Sequence, residues 1–196
     1  MIFTPTRLAD AHVIDVERRG DERGHLARTF CEKEFADHGL VTRFVQASTI
    51  FSPTRDTLRG LHFQDSPHGE VKLVRCTRGA AHVVIVDLRP DSSTYLDWLA
   101  RELTSENGRM LYVPKGFAQG YQTLSDDTEV AYQMSNEYVP AAANGVRWDD
   151  PAFGIEWPPA QSRIISERDQ AWPDYEPRSS RPREAQPARV ARLLAE

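Results

Sequence analysis

Polar side chains alternate with apolar ones in several strand-like runs, and the most informative run is the octet TLRGLHFQ, residues 57–64. In a strand, His62 is expected to share one face with Leu58 and Gln64. A histidine with an ordinary pKa of about 6.5 is largely neutral at pH 7 and can accept a proton, so His62 is a candidate general base. A buried, hydrogen-bonded core histidine and a metal ligand are the alternatives.

Comparable positions in other runs carry further candidates. In a strand, residues two positions apart lie on the same face. Lys72 therefore shares a face with apolar residues of KLVRC, and Tyr132 with apolar residues of TEVAYQM. Gln119 and Tyr121 share a face in GFAQGYQTL. In a jelly roll, such inward-facing positions line the small-molecule site. Each also has a structural explanation, such as a lysine chain lying along apolar surface or a tyrosine hydroxyl at the rim. Taken singly, these residues leave both readings open.

The spacing of histidines and cysteines does not favour a metal site. A metal in a jelly roll typically needs two or three histidines and a carboxylate, beginning with an H-x-H pair on one strand. Here His62 is followed by Phe63 and Gln64, and the other histidines form no such pair. Cys31 and Cys76 lie 45 residues apart without a CxxC motif. We predict no metal site and two reduced thiols.

Strands must position these side chains, because β-like runs recur at intervals of about ten residues. Residues 72–76, the turn 77–79 and residues 80–88 predict a hairpin with Gly79 at its tight turn, and the second strand is apolar on both faces. Further strands are predicted at residues 109–113, 116–124 and 128–134. Without long helices between them, these strands favour an all-β, antiparallel jelly roll or barrel.

Short helices and loops account for the remainder. Residues 31–39 and 188–196 have helical periodicity, and the chain from Val139 onward is loop-like and is expected to wrap the barrel and help to build the site. Composition changes at the Pro/Arg-rich tail 176–196. We predict a single domain at 1–175 and a tail that is disordered or partly helical.

Composition excludes several classes of partner. A net charge of −5 provides no general basic field for nucleic acid. No apolar run approaches the roughly 20 residues that span a bilayer, and the first residues lack the order of a signal peptide. We expect a cytoplasmic protein that binds neither nucleic acid nor membranes. An anionic ligand would need a local cluster of arginine or lysine.

Several ordered blocks, extending from about Asp21 to Asp174, resemble the dTDP-4-dehydrorhamnose 3,5-epimerase family of nucleotide-sugar epimerases. They are RGLHFQ (59–64), KLVRCTRGAAHVVIVDLR (72–89) with SSTY (92–95), VPKGFAQGYQTLSDDTEVAYQ (113–133), NGVRWDDPAFGIEWP (144–158) and ISERD (165–169). The resemblance implies a cupin-type jelly-roll homodimer. It also implies an enzyme that needs no cofactor or metal and acts on a nucleoside-diphosphate 4-keto-6-deoxyhexose or a similar ketosugar.

By position, the resemblance also implies roles for individual residues. His62 matches the general base, Asp169 its carboxylate partner, and Tyr132 the acid on the opposite face of the sugar. Lys72 matches the residue near the C4 oxygen. Arg23 and Arg59 match residues that contact the diphosphate or nucleotide. The other residues that match substrate contacts are Gln46, Ser48, Gln119 and Tyr138.

Three departures from the family pattern affect specificity. Gln119 stands where familiar members have a histidine, Arg28 where a glutamate is common, and Ser48 where an asparagine is usual. Glutamine cannot carry a proton charge near neutral pH, so we hypothesise that Gln119 alters which of C3 and C5 is inverted or adapts the pocket to another sugar. The nucleotide stays open among dTDP, GDP, CDP and UDP. A 3,4-ketoisomerase and a non-catalytic sugar-binding jelly roll are the alternative functions.

Overall fold

Short β-strands make up most of the regular structure in the computed structural model, which describes residues 1–177. The elements are β1 (Ile2–Pro5), β2 (His12–Asp15), β3 (Arg18–Asp21), β4 (Gly24–Ala27), α1 (Glu32–Asp37), β5 (Gln46–Ser52), β6 (Leu58–Gln64), β7 (Lys72–Arg78), β8 (Ala80–Asp87), β9 (Trp98–Thr104), β10 (Met110–Val113), β11 (Phe117–Thr123), β12 (Thr128–Met134), a 3-10 turn (Pro140–Ala142), β13 (Ala143–Gly145) and α2 (Glu167–Gln170). None of the helices in this part of the chain is long and apolar enough to cross a membrane.

Two antiparallel sheets form the body of the fold. The larger has the strand order β1-β2-β10-β7-β12-β5 and the smaller β13-β6-β11-β8-β9, while β3 and β4 form a separate hairpin. Strand neighbours are often distant in sequence, as in β10 beside β7 and β11 beside β6, which is the connectivity of a jelly roll rather than of a meander. The predicted all-β, antiparallel jelly-roll architecture is confirmed.

Apolar side chains fill three layers. The central layer lies between the sheets and joins Val74 and Leu111 of the larger sheet to Val83 and Ile85 of the smaller. The outer face of the smaller sheet is covered by the chain after β13, and the outer face of the larger sheet is covered by α1 through Phe35. β8 and β10 are therefore covered on both faces, which explains why these two strands are almost continuously apolar.

The hairpin of β7 and β8 forms where the sequence predicts it. Gly79 has a φ of +71°, and a Cβ there would lie 2.6 Å from the Ser125 hydroxyl oxygen. Glycine is therefore required at this turn. On β8, Val83 and Ile85 face the central layer while Val84 faces the outer one, which confirms that this strand is apolar on both faces.

Most other predicted elements are also present. β10, β11, β12 and α1 lie within the expected ranges, and the chain after Val139 wraps the smaller sheet as expected, with one short strand and one helical turn. The sequence did not predict β1 to β5 or β9. The predicted tail, 176–196, and its helix-like end lie outside the described residues apart from Glu176 and Pro177.

Candidate active site

A one-residue bulge in β6 aligns the polar side chains of the candidate site. Gln119 of β11 pairs with His62 of β6, whereas Tyr121, two residues later, pairs with Arg59, three residues earlier. The extra residue on β6 brings Arg59 and His62 to the same face of the sheet, although their spacing in sequence is odd. The predicted parity of His62 with Leu58 is therefore wrong, because the bulge lies between them.

Glycines make the bulge possible. Gly60 has a φ of +109°, and a Cβ there would lie 2.7 Å from the Cα of Gly120 on the neighbouring strand. A Cβ on Gly120 would in turn lie 2.7 Å from the carbonyl oxygen of Arg59. The two backbones approach so closely that neither position accepts a side chain.

The bulge faces a pocket of about 300 Å³ between the two sheets. Seven of the ten predicted site residues line it: Arg59, His62, Lys72, Gln119, Tyr132, Tyr138 and Asp169. His62 belongs to the smaller sheet, whereas Lys72 and Tyr132 belong to the larger. A ligand between the sheets would therefore have His62 on one side and Tyr132 on the other.

His62 and Asp169 form a short hydrogen bond. The distance from His62 Nε2 to Asp169 Oδ1 is 2.6 Å, and the second carboxylate oxygen accepts a 3.1 Å hydrogen bond from the amide of Gly60. Asp169 is placed by α2, whose N-terminal Ser166 hydroxyl accepts the Asp169 amide at 3.2 Å. A segment that lacks strand periodicity thus delivers a buried carboxylate to the base of the pocket.

The charge state of this pair follows from its surroundings. Burial alone would raise the pKa of Asp169, but the hydrogen bonds from His62, Gly60 and Ser166 outweigh it and hold that pKa below the ordinary value. The ionised carboxylate can only accept, so the proton of a neutral His62 resides on Nε2. Nδ1 then carries the lone pair, as a general base requires.

Lys72 is held by a buried ion pair. Its Nζ lies 2.9 Å from Oε1 of Glu70 and donates a 3.2 Å hydrogen bond to the carbonyl oxygen of His62. The Glu70 and Lys72 side chains are only 4% and 11% exposed. Glu70 was not predicted, although it stands two residues before Lys72 and therefore in the same parity, a signal that could have identified it.

Gln64 connects this ion pair to the mouth of the pocket. Its Nε2 donates to Glu70 Oε2 at 3.2 Å and to the carbonyl oxygen of Glu137 at 3.1 Å, while its Oε1 accepts from the amide of Val139 at 2.6 Å. These bonds fix the segment that carries Tyr138, which is half exposed at the pocket mouth. Gln64 is therefore a structural hub, a role that its sequence position did not reveal.

Two guanidinium groups line the pocket without a carboxylate partner among residues 1–177. Arg59 Nε donates to the Ser52 hydroxyl at 3.3 Å. Arg168, which was not predicted, lies over the ring of Trp172, with its Cζ 5.3 Å from the ring centroid. Arginines without a carboxylate partner offer planar forks to phosphate oxygens, so the pocket suits a diphosphate.

Gln119 and Tyr121 complete the smaller-sheet wall. Gln119 stands directly beside His62 in the strand ladder, which puts the family's histidine-to-glutamine departure next to the candidate base. Tyr121, a candidate from the alternation of residues 116–124 to which the resemblance gave no role, also lines the pocket. Burial raises the pKa of Tyr121 to about 12, so its hydroxyl stays protonated at neutral pH.

Three predicted contacts do not line this pocket. Gln46 and Ser48 lie on β5, at the edge of the larger sheet, where Gln46 Oε1 accepts the Tyr138 amide at 2.6 Å. Arg23 lies on the exposed β3–β4 hairpin and pairs with Asp21 at 2.6 Å. Within residues 1–177, no group of three or more histidines, cysteines and carboxylates is placed to hold a metal ion.

Comparison with known proteins identifies the family. The model of the family described as dTDP-4-dehydrorhamnose 3,5-epimerase matches residues 5–176. The chain is 42% identical to the dTDP-4-dehydrorhamnose 3,5-epimerase of Sinorhizobium fredii, over 88% of this chain and 89% of the relative. It is 44% identical to that of Methanothermobacter thermautotrophicus, over 87% and 92%.

A solved structure gives the same result. The crystal structure of dTDP-4-dehydrorhamnose 3,5-epimerase from Bacillus anthracis, with TDP and PPi bound, superposes with a TM-score of 0.86 at 37% identity and covers 89% of this chain and 99% of its own. Sequence motifs, fold and relatives agree over most of the chain. The chain therefore belongs to the dTDP-4-dehydrorhamnose 3,5-epimerase family of isomerases.

Proposed function

We propose that His62 is the general base with which this epimerase removes a proton from a carbon beside the C4 ketone of a nucleoside-diphosphate 4-keto-6-deoxyhexose. The observation that carries the proposal is the 2.6 Å pair of His62 and Asp169, which faces Lys72 and Tyr132 across one pocket. Nδ1 of His62 accepts the proton, and Asp169 stabilises the imidazolium that results.

Lys72 stabilises the negative charge that this step creates. When the C–H bond breaks, its electron pair forms a carbon–carbon double bond and the ketone oxygen becomes an enolate. A fixed ammonium group beside that oxygen stabilises the enolate more than the ketone, which is the condition for a faster reaction. Loss of one such donor typically costs about 10² to 10³ in rate.

Tyr132 returns a proton from the other side. The enolate collapses to the ketone, its carbon takes the proton of the Tyr132 hydroxyl, and the configuration inverts because the base and the acid stand on different sheets. The imidazolium and the tyrosinate then recover their resting states by proton exchange with solvent. Electrons and protons balance without an oxidant or a reductant, so the proposed reaction needs no cofactor.

The nucleotide is proposed to be dTDP. Arg59 and Arg168 supply positive charge at the pocket, and the Bacillus anthracis relative has TDP bound. A thermal-shift screen with dTDP, GDP, CDP and UDP tests this assignment. A nucleotide present at 100 times its dissociation constant adds about 2.7 kcal/mol to the free energy of unfolding, and we expect the largest shift with dTDP.

The exchanged carbons can be counted directly. NMR of product formed in deuterated water reports solvent deuterium at C3, at C5 or at both. Because Gln119 stands beside His62 and cannot carry a proton charge, we propose that it sets the ratio of the two exchanges. Equal incorporation at C3 and C5 would contradict a single-site enzyme, and a ketone found at C3 would indicate a ketoisomerase instead.

His62→Ala tests the base itself. The variant should lose solvent exchange into the substrate and keep nucleotide binding, because Arg59 and Arg168 are unchanged. His68→Ala is the matched control, since His68 is exposed and only its carbonyl oxygen contacts the site network. Undiminished exchange in His62→Ala would refute the proposed base, whereas a non-catalytic binding protein would show no exchange even in the parent.

We propose a homodimer in which Arg23 acts on the site of the partner subunit. Arg23 lies on the exposed β3–β4 hairpin and does not line the pocket of its own chain, and β5 forms an edge of the larger sheet with Phe51 half exposed. Pairing with a second copy would cover such an edge. The predicted contacts of Gln46 and Ser48, which lie on that edge, are proposed to depend on the same interface.

Mixed dimers test this arrangement. In a dimer of Arg23→Ala and His62→Ala chains, one site combines an intact His62 with an intact Arg23 only if Arg23 acts on the partner's site. Co-expression should then restore about a quarter of the parent activity, because half of the dimers are mixed and half of their sites are complete. No recovery, in a sample shown by light scattering to be dimeric, would refute action across the interface.

Two wider proposals concern the chain as a whole. We propose that residues 1–175 form one domain, since the central apolar layer joins both sheets. We also propose a cytoplasmic location. It is supported by the nucleotide-sugar substrate class and by two free cysteines, Cys31 and Cys76, the usual state of thiols in a reducing compartment.

A further inference from the structure

Glu70 is a buried carboxylate in the pocket that the proposed reaction does not use. Its side chain is 4% exposed, and it lines the same cavity as His62 and Tyr132. A charge in such a position is expensive unless it is paired and hydrogen-bonded. The two groups that face its oxygens therefore indicate what it does.

Those groups are Lys72 and Gln64, one at each oxygen. Lys72 Nζ lies 2.9 Å from Oε1, and Gln64 Nε2 lies 3.2 Å from Oε2. The two N–H groups of Gln64 are shared among Glu70 Oε2 and the carbonyl oxygens of His68 and Glu137, at 3.0 and 3.1 Å. Gln64 is itself fixed by backbone partners on both sides, including the Val139 amide at 2.6 Å, so it cannot rotate its amide without breaking them. Glu70 is therefore anchored on the protein side and presents its other oxygen to the lysine.

Only a carboxylate meets both demands. Both neighbours are donors, so position 70 needs an acceptor atom facing each of them. A glutamine there would turn an N–H toward either the Gln64 amide or the Lys72 ammonium. The isosteric amide thus breaks one contact in every orientation, and it also removes the charge that balances Lys72.

The second contact of Lys72 relates it to the base. Its Nζ donates to the carbonyl oxygen of His62 at 3.2 Å, so the ammonium is held between Glu70 and the backbone of the base itself. An ammonium has three N–H donors, and the hydrogen bond to the His62 carbonyl oxygen uses one of them. The ion pair with Glu70 takes a second, so one N–H group is left for a ligand oxygen, and these two partners set its direction.

We propose that Glu70 is a positioning residue that holds the Lys72 ammonium at the site where the enolate oxygen forms. The proposal rests on the proposed function, because it gives Lys72 that role. Glu70 touches no reacting atom and acts only through Lys72. Its loss should slow the chemical step and leave nucleotide binding intact, since the arginines lie elsewhere in the pocket.

A double-mutant cycle of Glu70→Gln and Lys72→Met tests this dependence. In the parent background, Glu70→Gln should lower kcat at least about 10-fold, up to the roughly 10² to 10³ that loss of the oxyanion donor itself costs, and change KM and dTDP affinity less than about threefold. In the Lys72→Met background it should lower kcat less than about twofold. Glu102→Gln, at an exposed position on β9, is the matched control.

The outcomes separate the two proposals. An equal loss of kcat in both backgrounds, or an unchanged kcat in Glu70→Gln, would overturn the positioning role while Lys72 keeps its proposed function. A Lys72→Met variant as active as the parent would overturn both. Thermal unfolding checks the fold of each variant. If Glu70→Gln does not fold, Glu70→Asp replaces it, because aspartate keeps the charge but draws it back from Lys72.

Discussion

Replacing Asp169 by asparagine should impair the enzyme more than removing the side chain to Cβ. Two donors converge on this carboxylate, His62 Nε2 at 2.6 Å and the Gly60 amide at 3.1 Å. Asparagine offers one acceptor and one donor. Its oxygen can satisfy the fixed Gly60 amide, but its N–H group then faces His62 Nε2 and binds the tautomer whose proton is on Nδ1. That tautomer cannot act as a base through Nδ1.

The size of the effect follows from the hydrogen bonds involved. Loss of the charge-assisted bond costs about 1.5–3 kcal/mol, or about 10- to 150-fold in rate, and applies to alanine and asparagine alike. In Asp169→Asn, the active tautomer of His62 has its Nε2–H group facing the N–H group of the new amide. Two donors that face each other cost about 1–3 kcal/mol more. We therefore expect losses of about 10² to 10⁴-fold for asparagine and about 10- to 150-fold for alanine.

Deuterium incorporation from solvent into the nucleotide ketosugar measures the affected step directly. Both variants should bind dTDP as the parent does, and Glu167→Gln, an exposed carboxylate-to-amide change on the same helix, should leave the exchange rate unchanged. An Asp169→Asn variant that exchanges as fast as Asp169→Ala, or faster, would refute the tautomer argument even if both are slower than the parent.

Three further results are expected. Gly60→Ala places a Cβ 2.7 Å from the Cα of Gly120 at a φ of +109°, so urea unfolding should show a loss of at least about 2 kcal/mol, and an unchanged midpoint would contradict the bulge geometry. Burial raises the pKa of Cys76 to about 11, so iodoacetamide at pH 8 should modify Cys31 in the native protein and Cys76 only after unfolding, as read by mass spectrometry. Burial of Asp87 would raise its pKa, but hydrogen bonds from three neighbouring side chains outweigh this and hold the pKa below its ordinary value. The stability that Asp87 contributes is thus present above about pH 4 and lost as pH falls through the lowered pKa, so Asp87→Asn should destabilise less at pH 2 than at pH 7 in urea titrations.

The strands that were predictable from sequence are those with buried faces. β8 and β12 alternate because each side chain must face one of two layers, and Gly79 marks the turn before β8. β3 reads RRGD and is exposed at every position, so no hydrophobic pattern records it. Its pairing with β4 is a ladder of backbone hydrogen bonds, which any sequence without proline can make.

The family motifs identified most of the site, whereas its internal geometry came from contacts that cross the fold. Asp169 reaches His62 over 107 positions of sequence, a contact that residue types alone do not predict. The bulge at Gly60 reverses the parity of the first half of β6, which simple alternation cannot anticipate. Glu70 was not predicted as a site residue, because a glutamate just before a strand is ordinarily exposed to solvent.

Because His62 and Tyr132 are carried by different sheets, the gap between the base and the acid is set by the thickness of the apolar layer that holds the sheets apart. That layer contains Val83, Ile85 and Leu111, none of which touches the pocket. The hydrophobic core is thus a spacer as well as a source of stability. A change in core volume during evolution, or compression of the core under pressure, would therefore change the distance between His62 and Tyr132. Proton transfer would slow before the protein unfolded.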